Sequence, residues 1–292
     1  MKEIAIIGST ASGKTALALD IANKTNSIIL SLDSLSVYKQ IDIASAKPTI
    51  KERADIIHFG IDEVFPNETF DVIQFIECYK KAKEFALNNN KNLIIVGGTG
   101  FYLKSLIEGL SLGVDTKIKL DIPQEEAYEF LFNLDKEYMQ KIEANDRYRI
   151  EKAYAIYKQT GKTPSKFFSE NKKEPILKNL KIFEILWDRE VLRKRIELRT
   201  KQMIKEGIID EVIFLEKNYS REPNCMSSIG IIETLEYLDG KLTKEQLEQK
   251  IALNTTKLAK RQNTFNKSQF NQEQTSNIIE NLNSDILKYF SL

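Results

Sequence analysis

The sequence predicts an α/β fold in which a parallel sheet is covered by helices on both faces. Three observations carry that expectation. Short apolar runs occur at Lys2 to Ile7, Ser27 to Leu32 and Leu93 to Val96. Segments of helical period lie between them, and a glycine-rich loop follows the first run directly. Continuous apolar runs separated by helices mark strands buried on both sides, as in parallel sheets.

Lys2 to Ile7 reads as the first strand, and it feeds a helix from about Lys14 to Lys24 in which Leu17 and Ile21 fall on one face. Ser27 to Leu32 is the second strand. Asp71 to Leu87 reads as a helix, after which Leu93 to Val96 enters Gly97 and Gly98 as another buried strand. The pattern changes after Gly109. Gly113 and Pro123 bracket a linker, and Gln124 to Lys158 turns polar and helical, as an inserted lobe would. Lys181 to Trp187 supplies one further strand, so the expected organisation is a first core part over 1–110, an inserted helical lobe over 111–178, and a returning strand with C-terminal helices over 179–292. In that last part a helix from Val191 to Glu206 stops at Gly207, and Thr243-Lys244-Glu245-Gln246 forms a capping box that opens another. The polar stretch Gln269 to Asn277 is given no role.

Composition narrows the class. A chain of 292 residues with 42% hydrophobic and 29% charged residues has ordinary globular usage, which excludes disorder and a membrane bundle. The run Met1 to Gly8 is too short for a signal peptide and no apolar run reaches a membrane span. A cytoplasmic monomer without a membrane partner is therefore expected. Cys78 and Cys225 lie far apart and His58 is the single histidine, so a structural zinc site is not expected, and Cys78 and His58 read as core residues. With a net charge of +1, any polyanion site must come from local clustering.

Gly8-Ser9-Thr10-Ala11-Ser12-Gly13-Lys14-Thr15 satisfies G-x-x-x-x-G-K-[ST] between a predicted strand and a predicted helix, the context of a P-loop NTPase-like core. Such a loop turns backbone N–H groups toward phosphate oxygens. The helix N-terminus and Lys14 add positive charge, and the Thr15 hydroxyl can hold Mg2+. The motif alone leaves a kinase, a nucleotide switch and other diphosphate chemistry open. Leu93 to Val96 runs into Gly97-Gly98-Thr99-Gly100 without a carboxylate, so the usual magnesium aspartate of a hydrolase is missing. At the end of the second strand, Asp33 and Ser34 place a carboxylate and a hydroxyl on the sheet edge that carries the phosphate loop, a position suited to a general base.

Read together, the phosphate loop, Asp33-Ser34-Leu35-Ser36-Val37-Tyr38, Ala44-Ser45-Ala46-Lys47-Pro48 and Gly97-Gly98-Thr99-Gly100-Phe101-Tyr102 closely resemble the tRNA dimethylallyltransferase (tRNA isopentenyltransferase) family in order and spacing. The resemblance resumes at Asn145-Asp146 with Arg149, at Gly161 to Ser165, at Arg195 to Val212 and at Leu258-Ala259-Lys260-Arg261-Gln262. Ser36, Ala44, Ile231, Phe265 and Lys267 depart from the family's usual Gln, Gly, Tyr, Trp and Arg. Phe265 can still stack and Lys267 can still meet a phosphate.

The resemblance implies transfer of a dimethylallyl group from dimethylallyl diphosphate to the exocyclic amine of the adenosine 3′ to the anticodon, within the tRNA anticodon stem-loop. On that reading Gly8, Ser9, Thr10, Ala11, Ser12, Gly13, Lys14 and Thr15 grip the leaving diphosphate, with magnesium on Thr15. Asp33 is the base, and Thr99 bonds that aspartate or the adenine. Asp33, Ser34, Leu35, Ser36 and Thr99 contact the adenosine. Arg149, Arg195, Arg199, Lys260 and Arg261 contact tRNA, although a basic helix face taken alone is an ordinary solvated face. Lys47 beside Pro48 is a further residue that faces substrate phosphate. The competing enzymatic reading is a P-loop kinase that binds ATP and phosphorylates a small metabolite. A non-enzymatic RNA-binding module would leave Lys14, Thr15 and Asp33 unexplained.

Overall fold

A strand enclosed on both faces must be apolar at nearly every position, and β1 (Glu3–Gly8) is buried from Ile4 onward. The computed structural model describes residues 1–110, 119–171, 174–270, 274–276 and 279–291. After β1 the chain forms α1 (Lys14–Thr25), β2 (Ser27–Ser31), the single turn α2 (Ile50–Arg53), β3 (His58–Phe59), α3 (Val72–Asn88), β4 (Asn92–Gly97) and α4 (Gly100–Glu108). Four helices follow: α5 (Gln124–Leu134), α6 (Lys136–Met139), α7 (Arg147–Thr160) and α8 (Pro164–Glu170). The chain then returns through β5 (Lys181–Ile185), α9 (Arg189–Glu206), α10 (Ile208–Tyr219), α11 (Ile231–Leu238), α12 (Lys244–Gln269), β6 (Gln274–Ser276) and α13 (Ile279–Ser291).

The six strands form one sheet in the order β3-β2-β4-β1-β5-β6, and every pairing is parallel. This is the predicted α/β class. On one face Ile4, Ile6, Ile29, Ile94 and Phe183 pack with Leu17 and Ile21 of α1 and Leu282 and Ile286 of α13. Helix α3 packs on β2 and β4, burying Phe75, Tyr79 and Ala82. Burial of each large apolar side chain of this kind stabilises the fold by about 1.5–3 kcal/mol. The strand β3 escaped the sequence reading because a two-residue strand has no periodicity of its own.

Helix signals were legible. Asp71 accepts from Ile73 and Gln74 N–H at the start of α3, and Thr243 forms the predicted capping box with Gln246 at α12. Helix α9 ends at Gly207, whose φ of 100° is the left-handed conformation that stops a helix.

The chain divides into two compact units, Met1–Ser105 with Lys178–Leu292, and Leu106–Leu177. In the second, Ala127, Leu131, Met139, Ile142, Ile150, Ala153 and Tyr154 form a separate small core. The stretch expected to be helical from Gln124 to Lys158 is broken at Asp135. Its carboxylate caps α6 by accepting from Tyr138 N–H and also accepts from Ser165 N–H and Oγ, tying α8 in place. Gly113, one bracket of the expected linker, lies outside the described residues. So do residues 271–273 and 277 of the polar stretch, which otherwise supplies the end of α12 and β6. In the first unit a further apolar cluster joins Val37, Tyr38 and Ile41 to Met203, Val212, Leu215, Ile231, Leu247 and Ile251. Among the described residues no helix is long and apolar enough to cross a membrane.

Candidate functional site

In a parallel sheet, loops that leave the carboxyl ends of neighbouring strands meet at one edge. Here β1 ends in the phosphate loop, β2 runs into Asp33 and Ser34, and β4 runs into Gly97 to Gly100. Strand β4 lies between β1 and β2, so residues distant in sequence converge. Leu32 N–H donates to Val96 O at 2.7 Å, which holds the second loop against the third.

The phosphate loop is closed by Ser12 N–H on Ser9 O at 3.2 Å, and Gly13 takes a φ of 94° just before α1. Lys14 Nζ donates to Ser9 O at 3.1 Å. Burial lowers the Lys14 ammonium to about pKa 8; the Asp33 carboxylate opposes that shift and Arg199 reinforces it. An anion arriving at this loop would raise the pKa again and hold the proton on, as a phosphate-binding lysine requires. Ser12 is fully buried and its Oγ has no hydrogen-bond partner.

Asp33 is half-buried. Its Oδ1 accepts from Leu35 N–H at 2.9 Å and Ser36 N–H at 3.3 Å, while among the described residues Oδ2 has no hydrogen-bond donor. The carboxylate thus serves a local turn with one oxygen and keeps the other available. Thr99 Oγ1 accepts from Ser34 N–H at 3.3 Å, so its link to the second loop goes through the backbone of Ser34 and not through the Asp33 carboxylate. Ser34 is exposed, Leu35 half-buried and Ser36 buried.

Two arginines expected at tRNA reach the phosphate loop. Arg195 Nε donates to Ala11 O at 2.8 Å while its guanidinium lies over the Trp187 ring at 4.8 Å, and Trp187 Nε1 donates to Ser12 O at 2.8 Å. Arg199 Nη1 donates to Thr10 Oγ1 at 3.3 Å. Burial lowers the pKa of Arg199, and Asp33 pulls it back. Their one-turn spacing on α9 was visible in the sequence; the surface they face was not, because it depends on how α9 packs. Lys260 and Arg261 are exposed on α12, and Arg149 is exposed on α7 in the other unit, beside Asp146 at 3.4 Å.

Lys47 lines the cavities beside Lys14 and Thr15. It is buried, with Nζ 2.7 Å from Asp42, 2.5 Å from Asp62 and 2.9 Å from Tyr38 O, so its charge is already compensated. Glu211 received no role from the sequence, yet its carboxylate accepts from three consecutive N–H groups, Asp42, Ile43 and Ala44, at 2.7–2.9 Å, and so shapes the segment that delivers Lys47. His58 is half-buried with Nδ1 bonded to Ile56 O at 2.8 Å, and burial lowers its pKa. The buried Cys78 thiol is pushed up to about 12, chiefly by desolvation. Gln262 is the residue most clearly missed: its side chain touches both the phosphate loop and Gly98. Ala259, Gln262 and Asn266 recur on one face of α12, and that spacing was the available signal.

Three cavities meet around these residues. One of about 500 Å³ opens beside Gly13, Lys14, Thr15, Arg195 and Arg199. A second of about 330 Å³ lies on the side of Asp33, Ser34, Thr99, Met203 and Leu258. A small one of about 50 Å³ is lined by Lys14, Thr15, Asp33, Ser36, His58 and Gly97. Arg199 lines all three. The arrangement can hold a polyanion at the loop and present a carboxylate and a hydroxyl to a second, flatter group.

Comparison with known proteins places these features. The family model described as IPP transferase matches residues 36–269. The phosphate loop precedes that span, so its motif and geometry are independent support. The chain is 72% identical, over the full length of both proteins, to a tRNA dimethylallyltransferase of Aliarcobacter butzleri. It is 51% identical to that of Sulfurimonas denitrificans over 280 residues, 92% of this chain and 93% of the relative. Among solved structures, the full-length tRNA isopentenylpyrophosphate transferase of Bacillus halodurans is similar with a TM-score of 0.73 at 28% identity, covering 99% of this chain and 97% of that one. A eukaryotic dimethylallyltransferase captured acting on tRNA gives a TM-score of 0.80 at 28% identity, covering 94% of this chain and 74% of that one.

Proposed function

The chain belongs to the IPP transferase family and prenylates tRNA, and from that premise we propose which groups it joins and which residues join them. The donor is dimethylallyl diphosphate, and the acceptor is the exocyclic amine of the adenosine 3′ to the anticodon. The observation that carries this reading is the pair of cavities that share Arg199: one opens on the phosphate loop, the other on Asp33 and Thr99.

The diphosphate rests on the backbone of Gly8 to Thr15, with Lys14 and Arg199 beside it, and Arg195 holds the loop from behind through Ala11 O. As the allylic carbon–oxygen bond breaks, charge grows on the departing oxygen, and the loop N–H groups, Lys14 and Arg199 stabilise it. The adenine amine is a weak nucleophile because its lone pair is delocalised. Asp33 Oδ2 takes the amine proton as the carbon–nitrogen bond forms, contributing about 10²–10⁴ in rate. Thr99, with Ser34 as a weaker helper, holds the adenine amine in line with the allylic carbon. Arg195 and Arg199 therefore act on the diphosphate side, whereas Lys260 and Arg261, exposed on α12, are phosphate contacts for tRNA.

Magnesium fits the donor set in a limited way. Among the described residues no cluster of three His, Cys, Asp or Glu could cage a metal. Thr15 Oγ1 would hold the ion, with substrate phosphates and water supplying the other oxygens. When bound, it neutralises charge on the diphosphate. A tRNA substrate supports action in the cytoplasm.

The test is incubation with labelled dimethylallyl diphosphate, magnesium and unmodified tRNA, beside ATP controls. Label on the adenosine 3′ to the anticodon is expected. Phosphate release from ATP without labelled tRNA would instead favour the kinase reading.

A further inference from the structure

We propose that Gln262 is a positioning residue that holds the phosphate loop and the Gly97–Gly100 loop at a fixed separation, so that the departing diphosphate and the adenine-side hydroxyl stay in register. The inference deepens the function proposed above and rests on it. Gln262 Oε1 accepts from Thr10 N–H at 2.9 Å, and Gln262 Nε2 donates to Gly98 O at 3.1 Å. The two bonds have opposite polarity, which fixes the orientation of the amide. A single carboxamide thus joins the loop that grips the leaving group to the loop that carries Thr99. It also lines the cavity that contains Asp33, Ser34, Thr99 and Arg199.

The neighbours are built around this side chain. A Cβ on Gly98 would lie 2.5 Å from Gln262 Nε2, so the glycine is what lets the amide approach. One turn further along α12, Asn266 Nδ2 donates to Glu184 Oε1 of β5 at 3.0 Å, and both residues are buried. The backbone that carries Gln262 is thereby pinned to the sheet. Thr10 is fixed twice, by Gln262 through its N–H and by Arg199 through its hydroxyl. Few side chains of this length offer a donor and an acceptor together. Glutamate keeps the acceptor for Thr10 but sets a carboxylate against the Gly98 carbonyl, and methionine fills the volume with neither bond.

The experiment measures single-turnover transfer and tRNA binding for Gln262→Met, Gln262→Glu, Gln262→Ala, Gly98→Ala and the Gln262→Ala/Gly98→Ala double variant. Loss of register predicts a transfer rate lower by about 10²-fold for both Gln262→Met and Gln262→Glu. tRNA affinity should stay within about twofold of wild type, the scatter of independent sites. Gly98→Ala alone should be harmful, yet in the Gln262→Ala background, where the amide is gone, it should cost no more than about a further twofold. The proposal is overturned if Gln262→Met transfers at the wild-type rate, if the two substitutions add fully, or if tRNA binding falls in step with transfer, which would mark a purely structural residue. Wild-type protein that failed to transfer would instead overturn the function on which the inference rests.

Discussion

Positive charge is used in opposite ways at the phosphate loop and in the helical unit Leu106–Leu177. At the loop, Lys14, Arg195 and Arg199 arrive from two distant segments and donate to Ser9 O, Ala11 O and Thr10 Oγ1, neutral oxygens, and among the described residues none of the three forms an ion pair, although the Asp33 carboxylate attracts Lys14 and Arg199. In the helical unit Arg147 pairs with Glu151, Arg149 with Asp146, and Lys162 with Glu170, all with exposed cations. Exposed pairs of that kind are worth about 0–1 kcal/mol and ask for nothing more. Desolvated Lys14 and Arg199, whose hydrogen bonds go to neutral oxygens, are stabilised further when an anion arrives. The difference separates groups placed for chemistry from groups that keep a surface solvated.

The sharpest break in that contrast comes from the carboxylate facing those cations. Asp33→Ala should lower single-turnover transfer by about 10²–10⁴-fold if it is the base. Binding of tRNA should persist. An unimpaired rate would remove Asp33 from the chemistry and leave it as the turn residue that its bonds to Leu35 and Ser36 N–H already make it. Arg199→Ala comes next. A hydrogen bond to a charged group is worth about 1.5–3 kcal/mol, so KM for the allylic diphosphate should rise about 10–100-fold. If tRNA affinity falls instead, Arg199 works on tRNA, and the placement of its guanidinium on Thr10 has misled.

These tests bear on how much was readable beforehand. The phosphate loop was legible because its function fixes a contiguous pattern, and β1 and α1 flank it within a residue or two of the expected positions. Asp33 and Thr99 were legible through strand ends and spacing. The target of a long side chain was not. Arg195 and Arg199 share a helix face by periodicity, but only the packing of α9 shows that this face meets Thr10 and Ala11. Lys47 looked like a surface lysine before a proline, and its burial depends on Asp62, fifteen residues on, folding back to it. Gln262 joins segments 252 and 164 residues away, a relation no local pattern encodes.

A third test sharpens the contrast through pH. Lys14 is held near pKa 8 by desolvation, so in free enzyme it carries its charge below that pH and loses it above. The attraction for diphosphate should weaken as pH rises. With tRNA saturating, kcat/KM for dimethylallyl diphosphate is expected to fall about tenfold per pH unit beyond pH 8, since that ratio reports free-enzyme ionisations. Bound diphosphate stabilises the ammonium, so the corresponding limb in kcat should lie at higher pH. A kcat/KM profile flat to pH 10 would show that Lys14 keeps its proton without the anion.

The smallest effect is expected where the contrast says charge is merely solvated. Arg149 has a side chain 60% exposed beside Asp146, and Asp146 also caps α7 through Arg149 N–H at 3.1 Å. Because the cap uses the backbone, Arg149→Gln leaves it intact, and thermal stability should move by no more than about 0.5 kcal/mol. If the guanidinium nevertheless meets a tRNA phosphate, its loss weakens binding evenly across tRNAs and reduces the slope of log affinity against log salt by about 1. Measuring that slope for wild type and Arg149→Gln separates the alternatives, because a solvated surface arginine changes neither affinity nor slope. A changed slope would put the helical unit among the tRNA contacts despite its self-paired charges, since an exposed intramolecular pair is weak enough for a phosphate to replace the carboxylate.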